Sequence, residues 1–360
     1  MNNKVQVGLL FGGNSSEYEV SIMSVQNVYD AIDKSKFDVH PIWVTTDGYI
    51  ANEDDSYAVL ENPKHKAKSR LEKANLTNVY QLSNLPEIDV FFPIIHGNLG
   101  EDGCLQGLFR ILNKPFVGDD VLAAAVTMDK EFSKILARHI GVPVANWISI
   151  KRKEYNNKDS EKLNYAKVAA RLGGDLFVKP SNQGSSVGIH HVVNAHEFNE
   201  ALRDAFKYDD KVLVEEAIHG TEIETAILGN DDPIVSGVGQ ILNAEGTFYS
   251  YENKYGENST SILQVPAELP RSTIEEARSI ALKVYQITES SGLSRVDSIL
   301  RETDKKVIFT EINALPGFTN ISMYPRLFEQ IGISYSELIT KLIENAVDRF
   351  NHKQTLLHKK

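Results

Sequence analysis

The sequence predicts an α/β protein whose N-terminal part is a parallel, doubly wound sheet, and three observations carry that expectation. Residues 5–11 form an apolar run that ends in Gly12-Gly13-Asn14-Ser15-Ser16, directly ahead of a helical pattern. Residues 88–95, I-D-V-F-F-P-I-I, form a second run, short enough for a buried strand, that leads into His96 and a glycine-rich loop before another helix. Strand, glycine loop and helix therefore recur, which places ligands at the carboxyl ends of the strands.

The elements follow in order. A helix is predicted over 17–32, with Ser16 and Glu19 spaced as a capping box. A second strand covers 37–44 and closes at Asp47-Gly48, and residues 52–82 read as a charged insertion. From about Val121 the pattern changes. An amphipathic helix is expected over 128–140, stopped by Gly141 and Pro143. Strands follow over 176–179, 187–193 and 211–217, with a helix over 195–206. The last third carries more strands, a polar loop over 251–261, helices over 272–290 and 334–349, and a tail expected to fray.

Bulk properties narrow the function. At 360 residues the chain has room for two or three domains. Net charge is −11, which argues against a broad nucleic-acid-binding face. Composition is ordinary, at 42% hydrophobic and 24% charged, and no apolar run approaches a membrane span. The first residues meet glycines too soon for a secretory signal. The single cysteine, Cys104, allows no internal disulfide, which fits a cytoplasmic setting, and it reads as a packing residue.

Chemistry concentrates near the C-terminal end. Residues 293–301, L-S-R-V-D-S-I-L-R, and 307–314, V-I-F-T-E-I-N-A, read as two strands about a turn at 302–306. A hairpin folded about Asp304 sets Asp297 opposite Glu311 and Arg295 opposite Asn313, all on one face. Two carboxylates and a carboxamide suit Mg²⁺ shared with phosphates. A solvated sheet surface with an ion pair is the plainer alternative. Leu315-Pro316-Gly317-Phe318 then offers backbone N–H groups beside the patch, as a developing oxyanion requires.

Phosphate chemistry has a second signal. Neither G-x-x-x-x-G-K-[ST] nor G-x-G-x-x-G occurs, but Lys179 ends a strand before Gly184-Ser185-Ser186, a loop that can close over phosphates. Lys130 could add a second cation. Glu215 ends a strand where it could accept from an adenine amino group, with Glu222 available to a ribose. Glu17 could meet a substrate ammonium or merely balance a helix dipole. His96 reads by default as an exposed loop histidine. Lys254 and Tyr255 sit in the polar loop, of a kind that often serves as a lid.

Taken together these segments resemble the D-alanine–D-alanine ligases, a branch of the ATP-grasp ligases. The likeness runs from Phe11-Gly-Gly-Asn-Ser-Ser-Glu-Tyr-Glu-Val-Ser21 through His96-Gly-x-x-Gly-Glu-Asp-Gly-x-Leu-Gln-Gly107, Met128-Asp-Lys130, Val178-Lys-Pro-x-x-x-Gly-Ser-Ser-Val-Gly-Ile189, Lys254-Tyr255, Ser294-Arg-Val-Asp297 and Glu311-Ile-Asn-x-x-Pro-Gly-Phe-Thr319 to Met323-Tyr-Pro. The resemblance implies an N-terminal Rossmann-like domain over 1–120, followed by a two-domain ATP-grasp fold over 121–218 and 219–350, with a tail at 351–360.

It also implies roles. Lys130, Lys179 and Lys254 would meet ATP with the loop at Gly184, Ser185 and Ser186. Glu215, the Ile218 backbone and Glu222 would hold adenosine. Asp297, Glu311 and Asn313 would hold two Mg²⁺ or Mn²⁺ ions. Glu17, Ser185, Tyr255 and His96 would serve the first D-alanine, Arg295 and the Gly317 backbone its carboxylate, and Ser322 and Met323 the second D-alanine. ATP and two D-alanines would be the substrates of a cytoplasmic homodimer, with no nucleic-acid or membrane partner. Tyr255 favours the dipeptide over D-alanine–D-lactate or D-alanine–D-serine products. A non-catalytic nucleotide-binding relative would have lost one of Asp297, Glu311, Asn313 and Arg295, and all four are present. Two departures, Ser298 and Ala314, are expected to face away from the metal patch.

Overall fold

The computed structural model describes residues 4–62, 77–78, 88–158, 160–242 and 262–357. Three sheets organise them. The first has strand order β4-β3-β2-β1-β5, made of β1 (Val5–Gly12), β2 (Phe37–Val44), β3 (Tyr49–Ile50), β4 (Thr77–Asn78) and β5 (Val90–Ile94). β1 runs parallel to β2 and β5, while β3 and β4 add antiparallel edges, so the sheet is mixed. The near-continuous burial of β1 and β5 is what covering both faces of a parallel sheet demands.

Helix α1 (Tyr18–Ala31) begins one residue later than expected, with Glu17 at its N-cap. The capping box does not form; Glu17 makes no side-chain cap because its carboxylate is engaged elsewhere. In the charged insertion, Asn52 caps α2 (Glu53–Glu61) by accepting from Asp55 N at 2.7 Å. Helix α3 (Cys104–Ile111) opens on Cys104, which is exposed rather than packed. The expected helix over 128–140 is two helices, α4 (Val121–Met128) and α5 (Lys130–His139). Asp129 parts them. It turns extended and caps α5, accepting from Glu131 N and Phe132 N at 3.0 and 3.1 Å.

The second sheet, order β6-β9-β7-β8, is antiparallel: β6 (Trp147–Lys151), β7 (Leu176–Pro180), β8 (His190–Val192) and β9 (Lys211–Glu216). Helices α6 (Arg152–Asn157), α7 (Tyr165–Leu172) and α8 (Ala195–Ala205) accompany it. β8 is shorter than expected because Ser185, Ser186 and Gly188 take φ of 48°, 59° and 70°, and chain in that region cannot extend a ladder.

The third sheet, order β12-β11-β10-β13-β14, joins β10 (Gly220–Gly229), β11 (Ile234–Leu242), β12 (Ile262–Gln264), β13 (Gly292–Arg301) and β14 (Val307–Asn313) in antiparallel pairs. Helices α9 (Arg271–Ile287), α10 (Met323–Glu329) and α11 (Tyr335–Gln354) complete it. The first and third sheets share one core, in which Leu9, Phe92 and Ile94 pack in a cluster with Leu228, Leu293, Phe318 and Tyr324. The second sheet packs around its own, with Val178, Phe198 and Val214.

The last helix runs further than the sequence suggests, to Gln354, because its end is held: Lys353 pairs with Asp120. One turn earlier the half-buried Arg349 donates to Gly118 O at 2.5 Å, Phe116 O at 2.9 Å and Ser291 Oγ. Beside it Asp119 accepts from Ser291 N at 2.6 Å, and burial pushes its carboxyl up to about 7. Among the described residues no helix is long and apolar enough to cross a membrane.

Candidate active site

The hairpin of β13 and β14 has the register the sequence predicts. Arg295 lies opposite Asn313 and Asp297 opposite Glu311. Toward the turn the register shifts and Ser298 faces Phe309, which leaves Thr310 as the extra residue of a bulge. Thr310 Oγ1 donates to Asp297 O at 2.7 Å and ties the bulge down. Ser298 alternates onto the buried face with Val296, away from the carboxylates as expected. Ala314 is likewise buried, and both residues border the cavities described below, Ser298 one and Ala314 the other.

The carboxylates on this face are balanced by cations. Arg295 donates to Asp297 from Nε at 2.7 Å and from Nη2 at 2.6 Å. Its Nε also lies 3.0 Å from Glu224 Oε2, a buried carboxylate that β10 places opposite Asp297. Lys130, at the start of α5, sits 3.2 Å from Glu311. Asn313 Nδ2 donates to Asp297 Oδ2 at 3.0 Å. Among the described residues no three His, Cys, Asp or Glu side chains gather as a metal cluster. The candidate set is two carboxylates and a carboxamide, hard oxygen donors whose charges Arg295 and Lys130 neutralise, so the donor chemistry fits Mg²⁺ or Mn²⁺.

The first sheet brings a second group. The Glu17 carboxylate is buried and accepts from Ser185 Oγ, a bond between the first sheet's loop and the second sheet's. Two glycines make room for it. A Cβ on Gly97, at φ 76°, would stand 2.7 Å from Glu17 Oε2, and one on Gly184 would stand 2.5 Å away. His96 is buried, not exposed; its Nδ1 is 3.1 Å from Leu315 O and its Nε2 3.3 Å from Ser24 Oγ. Burial pushes its imidazole below the ordinary range. Glu101 accepts from Gly97 N at 2.7 Å and from Leu315 N at 3.1 Å, so His96 and Glu101 together clamp the chain at Leu315, directly ahead of Pro316 and Gly317. Burial, then the charge of Glu17, push the Glu101 carboxyl up to about 8.

The second sheet supplies the third group. Lys179, the last residue but one of β7, pairs with Glu215 Oε2 at 2.7 Å, and Lys134, fully buried on α5, reaches the same oxygen at 3.1 Å. Burial alone would raise the Glu215 carboxyl, but Lys134 and Lys179 outweigh it and hold it below its usual range. Burial pushes Lys134 down to about 8. Glu215 Oε1 is buried and has no hydrogen-bond partner among the described residues.

These groups line two cavities. One, of about 140 Å³, is bounded by Glu17, His96, Gly184, Ser185, Arg295, Asn313, Gly317, Ser322 and Met323. The other, of about 130 Å³, is bounded by Lys179, Ser186, Glu215, Ile218, Glu222 and Asp297. Lys130, Glu224 and Glu311 belong to both walls, so the cavities abut where the cations meet the carboxylates. Lys254 and Tyr255 lie outside the described residues. Sequence reasoning missed Glu101, Lys134 and Glu224. Lys134 had a signal, four residues after Lys130 and hence on the same helical face. Glu101 stood inside a glycine-rich motif, and Glu224 had none.

A mixed sheet followed by two antiparallel sheets closing on such a pair of cavities is the ATP-grasp architecture. Family models for the D-ala D-ala ligase N-terminus and C-terminus match residues 6–119 and 136–344. A D-alanine–D-alanine ligase from Lactobacillus gasseri is 66% identical over 359 residues, covering 100% of this chain and 99% of that protein. The solved D-alanine-D-alanine ligase from Coxiella burnetii matches with a TM-score of 0.80 and 32% identity over 98% of each chain. A D-Ala:D-Ser ligase from Enterococcus faecalis matches at 0.79 and 33%, over 96% of this chain and 100% of that one. The chain belongs to the D-alanine–D-alanine ligase family.

Proposed function

We propose that this protein joins two D-alanines into a dipeptide with ATP, for cell-wall precursor synthesis. The observation that carries the reading is the meeting of the two cavities at Lys130 and Glu311. A nucleotide in one and an amino acid in the other would present a phosphate to a carboxylate there.

In this reading Glu17, held by Ser185, binds the ammonium of the first D-alanine. Arg295 and the Gly317 N–H hold its carboxylate. Glu215 Oε1 accepts from the adenine amino group, the Ile218 backbone and Glu222 take up the rest of the adenosine, and Lys130 and Lys179 turn from their carboxylates to the phosphates under the 184–186 loop. Asp297, Glu311 and Asn313 would hold Mg²⁺ or Mn²⁺, which when bound offsets phosphate charge. The first substrate's carboxylate oxygen attacks the γ-phosphorus, and ADP leaves from an acyl phosphate. The amine of the second D-alanine, whose carboxylate Ser322 and Met323 meet, then attacks the carbonyl carbon. Arg295 and Gly317 N–H hold the oxyanion, phosphate departs, and the amine sheds a proton. Tyr255 and Lys254 would close over the site. The protein would work in the cytoplasm as a homodimer, a reading that rests on the family resemblance.

A second reading, with D-serine as the second substrate, is favoured only by the likeness to the D-Ala:D-Ser ligase. The test is ADP release with and without D-alanine, the product weighed by mass spectrometry, and D-serine and D-lactate offered at neutral pH. D-alanine-dependent ADP release with a D-alanyl-D-alanine mass is expected. ADP release indifferent to D-alanine would refute the proposal.

A further inference from the structure

Lys134 is a fully buried cation that no step above uses. It stands on α5 and its ammonium reaches Glu215 Oε2 at 3.1 Å, the oxygen that Lys179 also holds at 2.7 Å. The other oxygen, Oε1, is buried and unpartnered among the described residues, and Glu215 lines the cavity that Ile218 and Glu222 share. The two cations differ in one respect. Lys179 has a side chain 13% exposed at the cavity edge, so it can leave for a phosphate, whereas Lys134 has 0% exposure and nowhere else to go.

We propose that Lys134 is the positioning residue for nucleobase selection: it keeps Glu215 an ionised, acceptor-only group after Lys179 departs, so that Oε1 takes a purine bearing a 6-amino group and rejects one bearing a 6-oxo group. The inference rests on the reading of this cavity as the nucleotide site. Its chemistry is simple. An ionised carboxylate has only lone pairs to offer. An amino N–H satisfies the orphaned oxygen, while a carbonyl would set lone pair against lone pair in a buried place. Without Lys134, Lys179 would be the only counter-ion left among the described residues. It would have to choose between Glu215 and phosphate, or Glu215 would take up a proton and become able to donate to a 6-oxo group.

The test compares ATP with inosine triphosphate in wild type and Lys134→Met, with D-alanine saturating. The ratio of kcat/KM for ATP over inosine triphosphate should fall by at least about tenfold, the size of one lost charged hydrogen bond. The change should lie mostly in the KM for ATP, a split that a general loosening of the fold would not produce. An unchanged ratio in a folded Lys134→Met overturns the proposal. Should that variant not fold, Lys134→Met with Glu215→Gln removes the buried charge pair together. It is expected to fold and to discriminate poorly, and wild-type discrimination in it overturns the proposal. Wild type is the control for the underlying reading. If wild type shows no D-alanine-dependent ADP release from ATP, the nucleotide-site reading has failed; if it does and the variants keep the wild-type preference, the role of Lys134 alone has failed.

Discussion

Arg295→Ala separates two duties that the structure gives one side chain. The guanidinium lies 2.6–2.7 Å from Asp297 and 3.0 Å from Glu224, and all three side chains are at most 15% exposed. Removing it takes the Arg295 charge away from two carboxylates in a poorly hydrated place, at a stability cost of about 3–5 kcal/mol. It also removes an oxyanion donor, which raises the barrier by about 2.7–4 kcal/mol and lowers kcat by about 10²–10³. Adding Glu224→Gln should return part of the stability, by removing one of the two negative charges that Arg295 balanced, and none of the turnover. The measurements are urea unfolding for stability, coupled ADP release for kcat, and equilibrium dialysis for ATP, whose cavity Arg295 does not line and whose affinity should hold. A folded Arg295→Ala turning over within about tenfold of wild type would refute the reasoning.

Three further outcomes follow from the same geometry. Glu17→Gln should raise the KM for the first D-alanine by about 10- to 100-fold, the size of a lost charged hydrogen bond, and leave the KM for ATP alone; equal effects on both would contradict its place. Glu101→Gln should flatten the pH dependence of stability. Its carboxyl lies near 8 when folded against an ordinary 4.5, so folding favours the protonated form and wild type should lose stability as pH climbs from 4.5 to 8. Identical changes in the urea midpoint of wild type and variant between pH 5 and 8 would count against that. Arg349→Met should cost about 2–4 kcal/mol in urea unfolding, leaving the Gly118 and Phe116 carbonyls without their donor and Asp119 without a nearby positive charge, at unchanged KM values; a loss under about 1 kcal/mol would show that the contact is idle.

Much of the site was legible because it obeys period two. The alternation of L-S-R-V-D and T-E-I-N, with a short turn between, was enough to set Asp297 against Glu311 and Arg295 against Asn313. Where local rules competed with distant partners, the distant partners won. Ser16 and Glu19 have capping-box spacing, yet Glu17 turns its carboxylate to Ser185, 168 residues away in the chain. Asp129 looked like the interior of one helix, but it caps a new one while Lys211 meets its carboxylate at 2.7 Å. His96 reads as exposed because its neighbours are glycines and polar residues; the chain 219 positions later covers it. Glu224 could not be found from spacing at all, since only strand pairing with β13 gives it a role.

The bulge at Thr310 has a consequence for how this enzyme family can vary. An inserted residue pinned by its own hydroxyl locks the two strands from within, so alignment does not depend on the hairpin tip at 302–306. That tip is relieved of any duty toward the reaction. It can be lengthened, shortened or made to carry a graft, and the acids will still stand face to face.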